Sequence, residues 1–374
     1  MKIGFIGLGN VGCKLAESLF RNKFDLTVYD LDEIVINKFK SKGVEIAESL
    51  GELVKKVDVI ITCLPSPEIC ADVMLNKNGI LENISKSKIW IEMSTTDQKE
   101  VIRLGNLVKD KGAIPLEAPV SGGCHRAATG NIAIFVGGER KAFDRVLPIL
   151  TCMGRKILHV GELGSASILK VITNYLASVH LAALGEALTI AKKHNLDLKK
   201  TFEGIKISSG NSFVHETESQ VILNGSYNIN FTMDLVEKDM SLFNKLSEDK
   251  NIELEIAPFV LDIFKDAKEK FGSRAWSSMV VKRLEDKYNI NFTMDLVEKD
   301  MSLFNKLSKD QDIELEIAPF VLNIFKDAKE KFGSRAWSSM VVKRLEDKYG
   351  INFREKGFPD ELVDNEPEEK GQEV

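Results

Sequence analysis

Residues 2–12 read KIGFIGLGNVG. The opening five are a short apolar run, the pattern of a buried strand, and residues 10–21 that follow carry helical spacing. Between them Gly7-Leu8-Gly9-Asn10-Val11-Gly12 is a GxGxxG. Gly7 suits a tight turn out of the strand, Gly9 lets the backbone approach a pyrophosphate, and Gly12 lets the helix pack closely on the strand. The helix start, with Asn10 and Val11, then offers N–H groups and a positive dipole to phosphate. Alone the motif is weak; directly after a first strand, with an acid ending the second, it is specific. That acid is Asp30, closing the apolar run 26–30 and standing 18 residues after Gly12. A carboxylate there accepts hydrogen bonds from a ribose 2′-OH and repels a 2′-phosphate, so NAD is expected over NADP.

Outward from this motif the chain alternates. Apolar runs at 57–63, 88–92, 113–117, 131–136 and 156–159 are separated by helical stretches such as 98–111 and 140–151. Such alternation predicts parallel strands with crossover helices, a doubly wound α/β (Rossmann) sheet. After Gly164 the strand pattern stops. Residues 165–194 carry one long helical period, and the remainder is helical and increasingly charged. The expected organisation is a dinucleotide-binding domain over 1–163 and an all-α domain over 164–288, opened by a long interdomain helix.

At 374 residues the chain exceeds a single core, and 44% hydrophobic with 29% charged residues is ordinary for a globular protein. A net charge of -5 argues against nucleic acid or an anionic membrane as partner. No apolar run is read as reaching the roughly 20 residues of a membrane span. The five cysteines, Cys13, Cys63, Cys70, Cys124 and Cys152, are odd in number and lack CxxC spacing. Free thiols in a reducing compartment follow. The chain opens already in a strand, without a signal peptide, and a cytoplasmic location is expected.

Residues 228–288 recur as 289–349, a shift of 61 with four differences: Glu248/Lys309, Lys250/Gln311, Asn251/Asp312 and Asp262/Asn323. Repeat arrays need about three or more stacked units, so two near-identical copies read as a tandem duplication. The second copy packs on the long helix, docks on a neighbouring subunit or is surplus. Residues 350–374, acidic and poor in large apolar side chains, are expected to be a disordered tail.

Two further constellations carry chemistry. Residues 117–123, EAPVSGG, end a strand in a Ser-Gly-Gly turn. The Ser121 hydroxyl and the amides of Gly122 and Gly123 can hold a carboxylate; on the motif alone, a loop that merely needs glycine dihedrals is equally good. Lys170 and Asn174 stand i and i+4 on the long helix and project from one face. A buried lysine beside a nicotinamide ring would have a lowered pKa and serve as general acid/base. A lysine snorkelling to the surface is the alternative.

Together these motifs resemble the β-hydroxyacid dehydrogenase family over residues 1–288. The resemblance rests on GLGNVG, CLPSPE at 63–68, MSTT at 93–96, APVSGG, GELGSASILKVITN at 161–174 and EKDM at 237–240. It implies a small 3-hydroxy acid such as 3-hydroxyisobutyrate as substrate, with reduction of tartronate or succinic semialdehyde as the alternative. Lys170 would be the catalytic lysine, Ser121, Gly122 and Gly123 the carboxylate loop, and Asn174 an orienting amide. Leu64, Pro65 and Thr95 would line the cofactor, and Lys238 would reach cofactor and substrate from the second domain. No metal is implied, and dimers or tetramers are. The second EKDM places Lys299 at the copied position. Two departures stand out: Glu117 where the family usually has Asp, and Arg126 where it commonly has a small residue. Arg126 could bind a second anionic group or face solvent. A non-catalytic nucleotide sensor on the same scaffold is the alternative of another class, weakened by the presence of both Lys170 and Asn174; an imine reductase is weakened by the lysine.

Overall fold

The computed structural model describes residues 1–288, 316–332 and 340–350. Six strands run parallel: β1 (Lys2–Ile6), β2 (Asp25–Tyr29), β3 (Glu45–Ile46), β4 (Val59–Thr62), β5 (Ile89–Glu92) and β6 (Ile114–Glu117). Their order is β3-β2-β1-β4-β5-β6. Between them the chain crosses through α1 (Gly12–Arg21), α2 (Glu33–Lys40), α3 (Leu50–Lys56), α4 (Pro67–Leu75), α5 (Ile80–Asn83) and α6 (Gln98–Asp110). The sheet is apolar on both faces because strand side chains alternate. Ile3, Phe5, Val59, Ile61, Ile89 and Ile91 enter one core, while Ile6, Ile60 and Trp90 enter the other.

This order puts a topological switch between β1 and β4, where ligands bind at the carboxyl ends of strands. The register aligns those ends: Ile6 with Thr62, Thr62 with Glu92, and Glu92 with Glu117. Gly7, Leu64, Thr95 and the loop after Glu117 therefore leave the sheet along one edge. α1 begins at Gly12, two residues later than the sequence spacing predicts, and β2 ends at Tyr29, leaving Asp30 just beyond the strand.

The sheet then departs from the parallel pattern the sequence predicts. β7 (Val120–Ser121), α7 (Gly123–Ala128), β8 (Ile132–Gly138), α8 (Arg140–Met153) and β9 (Gly154–Gly161) complete it. β8 runs antiparallel to β6 and then to β7, and parallel to β9 on its other edge. Pro119 has no N–H to give and separates β6 from β7. The six-residue α7 is too short for a crossover, so the chain returns antiparallel.

α9 (Ser165–Lys193) is followed by α10 (Leu198–Lys206), α11 (Phe213–Leu223), α12 (Met233–Glu248), α13 (Ile256–Phe271) and α14 (Met279–Tyr288), all packed against α9. Against the sequence expectation, α9 is long and apolar enough to cross a bilayer by length and composition. The polar groups Lys170, Asn174 and Glu186 interrupt its apolar run only singly, and its apolar length covers the interior of the helical domain.

Two compact units are present, Met1–Ile317 and Ala318–Val374. In the first, Glu186 Oε1 accepts from the amides of Glu316 and Ile317 at 2.6 and 2.9 Å, and Arg283 grips Glu316 with both terminal nitrogens. Helices Ile317–Phe332 and Met340–Tyr349 repeat the sequence of α13 and α14, with Asn323 in place of Asp262, and also their pairing. Lys331 meets Asp347 at 3.1 Å as Lys270 meets Asp286 at 2.8 Å. Lys299 and the tail beyond 350 lie outside the described residues.

Candidate active site

The glycine loop fits a dinucleotide by what it leaves open. A Cβ on Gly12 would lie 2.1 Å from Gly7 O, so the fold itself requires glycine there. A Cβ on Gly9 would meet nothing within 4 Å. Packing does not require that glycine, and the open space leaves room for a group such as a pyrophosphate to approach the backbone closely. Among the described residues no side chain caps α1 and no acid stands in its first turn, which leaves the helix start to an anion. Asp30 steadies the loop: one carboxylate oxygen accepts from Leu8 N at 2.5 Å and the other from Asp32 N at 2.9 Å. Each oxygen keeps a lone pair, so a ribose hydroxyl can still be accepted. Leu64 and Pro65 occupy the turn after β4, with Leu64 N donating to Ser94 Oγ at 2.7 Å.

Glu117 ends β6 and caps α9 from inside the protein. Its Oε1 accepts from Gly164 N at 2.6 Å and Ala166 N at 2.9 Å. Its Oε2 accepts from Ser167 N at 3.0 Å and from the Ser167 hydroxyl. A helix start leaves such amides unpaired, and a buried carboxylate satisfies them while matching the dipole. Burial pushes the Glu117 carboxyl up, and its hydrogen bonds pull it back. The cap fixes the first turn of α9, one turn before Lys170. The next residues along the strand line are the Ser121 loop, and β7 packs against α9. The Ser121 loop and Lys170 are thus set by one anchor.

Lys170 is 8% exposed, which removes the snorkelling alternative. Its Nζ donates to Asn174 Oδ1 at 2.7 Å, and Asn174 Nδ2 donates to Asp239 Oδ2 at 2.5 Å. Lys238 Nζ lies 3.0 Å from Asp239 Oδ1 and donates to Thr95 O at 2.9 Å. One polar chain therefore runs from α9 through α12 to the loop after β5. Desolvation lowers the Lys170 pKa to about 8; Asp239 opposes the shift and Lys238 adds to it. An amine of this kind exchanges a proton near neutral pH.

Lys170 bonds Asn174 directly and Lys238 bonds Thr95 directly, and Asp239 links the two pairs. Among the described residues no hydrogen bond ties Ser121 to Lys170, and Asp30 stands apart with the glycine loop. Asp239 is the residue whose part the sequence did not disclose: buried at 2% exposure, it takes both Lys238 and Asn174. Glu117 was legible only as a departure from family pattern. Arg126 is half-buried, and its guanidinium carbon lies 4.4 Å from the centroid of the Phe213 ring.

Residues 2–161 match the NAD binding domain of 6-phosphogluconate dehydrogenase, and residues 164–284 match the NAD-binding domain of NADP-dependent 3-hydroxyisobutyrate dehydrogenase. 2-(Hydroxymethyl)glutarate dehydrogenase of Eubacterium barkeri is 30% identical over 283 residues, covering 75% of this chain and 94% of the relative. The chain belongs to the β-hydroxyacid dehydrogenase family. As a β-hydroxyacid dehydrogenase it is an NAD(P)-dependent oxidoreductase acting on the CH–OH group of hydroxy acids. The mitochondrial 3-hydroxyisobutyrate dehydrogenase of Rattus norvegicus is 33% identical over 64% of this chain and 74% of its own length. Among solved structures, 3-hydroxyisobutyrate dehydrogenase of Mycobacterium tuberculosis with L-serine aligns at TM-score 0.69 and 26% identity, covering 76% of this chain and 98% of that one.

Proposed function

We propose that this enzyme transfers a hydride between NAD and a small 3-hydroxy acid of the 3-hydroxyisobutyrate type, with Lys170 as general acid/base. The observation that carries the reading is the buried Lys170 amine, its pKa lowered to about 8, hydrogen-bonded to Asn174 on the same helix face. The nicotinamide ring, when bound, accepts or returns the hydride. The protein's own residues do the rest. In oxidation the neutral Lys170 amine takes the hydroxyl proton; in reduction the ammonium returns it. Asn174 orients the hydroxyl, and the Ser121 hydroxyl with the Gly122 and Gly123 amides holds the carboxylate. Gly7, Gly9, Asn10, Val11 and Gly12 hold the pyrophosphate, Asp30 the ribose, and Leu64, Pro65 and Thr95 line the nicotinamide half. Reduction of tartronate or succinic semialdehyde uses the same residues in reverse. The relative named glyoxylate/succinic semialdehyde reductase 2 of Arabidopsis thaliana, 27% identical, supports that direction.

The proposed boundaries are 1–163 for the dinucleotide domain, 164–288 for the helical domain, 289–349 for the repeat and 350–374 for the tail. Lys238, and not Lys299, serves the site, because Lys238 reaches Thr95. Equal activity losses in separate Lys238→Ala and Lys299→Ala variants would count against that choice. A homodimer or homotetramer is proposed, and a cytoplasmic location suits five free thiols. The reading is tested by following reduced nicotinamide absorbance with a panel of 3-hydroxy acids, using Lys170→Ala as control. Tight NAD binding with no turnover of any member would favour a nucleotide sensor instead.

A further inference from the structure

Arg126 stands one turn into α7, whose first residue is Gly123 of the Ser121–Gly123 turn. Its side chain folds back over that turn: a Cβ on Gly122 would lie 3.1 Å from Arg126 Cδ. The guanidinium then rests 4.4 Å from the Phe213 ring centroid, at the start of α11. This cation–π contact gives the N–H groups no carboxylate or carbonyl partner. Among the described residues Arg126 has no ion pair and no side-chain hydrogen bond. A half-buried guanidinium fixed beside a carboxylate loop, with its donor edge unused, is a ready anion receptor.

We propose that Arg126 binds a second carboxylate of the substrate, so that this enzyme prefers hydroxy acids carrying one carboxylate beside the reacting carbinol and another beyond it. The proposal rests on the reading that the Ser121 loop takes the first carboxylate. A single planar guanidinium matches one carboxylate in two parallel bonds, whereas a phosphate dianion calls for more positive charge. His125 does not supply it: burial and Arg126 both lower its pKa, keeping the ring neutral. The Phe213 ring contact restrains the guanidinium, which limits the orientations lost on binding.

A matched pair of substrates tests this. 3-Hydroxyisobutyrate and 2-(hydroxymethyl)glutarate share the CH2OH group next to a carboxylate; the second replaces a methyl by a longer arm ending in another carboxylate. With the full chain, the ratio of kcat/KM for the dicarboxylate over the monocarboxylate is expected to be on the order of 10- to 100-fold. In Arg126→Gln that preference should fall to near parity, through KM more than kcat, and Arg126→Lys should restore part of it. A thermal melt of each variant shows that it folds. Turnover of both substrates without preference, or a preference unchanged in Arg126→Gln, overturns the assignment while leaving the catalytic reading standing. Turnover of neither substrate by the wild-type enzyme overturns both.

Discussion

Asn174 Nδ2 donates to Asp239 Oδ2 across 2.5 Å, joining α9 to α12. The contact fixes the amide orientation without ambiguity. The Lys170 ammonium can only donate and the Asp239 carboxylate can only accept, so Oδ1 faces the lysine and the NH2 faces the carboxylate. The Lys170 ammonium therefore sees Asp239 through a rigid intermediary, and Asp239 raises the lysine pKa against desolvation.

Asp239→Asn should displace that balance in a stated direction. Loss of the negative charge lowers the Lys170 pKa further. The rising limb of the pH profile for alcohol oxidation then moves to lower pH. Looser placement of Asn174 lowers kcat by about tenfold or more. A limb moving to higher pH would show that Asp239 does not act on this amine.

Glu117→Gln tests the buried cap. The variant keeps one carbonyl oxygen but loses the charge and the second acceptor, so amides at the start of α9 go unpaired. A loss of roughly 1–3 kcal/mol in denaturant unfolding is expected, with a fall in kcat because the turn before Lys170 loosens. Unchanged stability would mean that another group can cap α9.

The cofactor preference proposed for Asp30 can be measured. The wild-type kcat/KM with NAD should exceed that with NADP by about tenfold or more, since a 2′-phosphate would face the carboxylate. Asp30→Ser should narrow the ratio. It should also weaken NAD binding, because Leu8 N and Asp32 N lose their acceptor. Equal use of both cofactors by the wild type would remove Asp30 from this role.

The buried amine also bears on stability. In the unfolded chain Lys170 titrates near its ordinary value of 10.5, and in the fold at about 8. Between these values the unfolded state binds more protons, so stability rises with pH across that window and the penalty is full below it. Lys170→Met should therefore stabilise the protein at pH 7, by on the order of 3 kcal/mol at most. The gain should fade as pH rises toward 10.5. Urea melts at pH 7 and pH 10 measure it; a variant less stable at pH 7 would contradict the burial argument.

Much of this was readable from residues alone. The glycine spacing, the acid after the second run and the alternation of Ile3, Phe5, Val59 and Ile61 against Ile6 and Ile60 are local patterns, and local patterns fix strand, turn and helix. The antiparallel return at β8 was not, because it depends on Pro119 interrupting one strand line and on α7 being too short to cross. The length of α9 was read, yet its apolar character as a bilayer-length helix was not, because single polar residues broke the run. Asp239 was hidden for another reason. Its importance arises from a partner 65 residues away on a different helix, a relation that spacing does not carry. Glu117 likewise read only as a departure from the family pattern until its two oxygens met the amides of Gly164, Ala166 and Ser167.

The most direct measurement is the pH dependence of kcat/KM for hydroxy acid oxidation by wild type and Lys170→Met. Activity should rise with pH through a midpoint near 8, as the amine loses its proton. The variant should lose about 100- to 10,000-fold in rate together with that limb. A variant within tenfold of wild type, or one that keeps the same rising limb, would show that the proton passes through some other group.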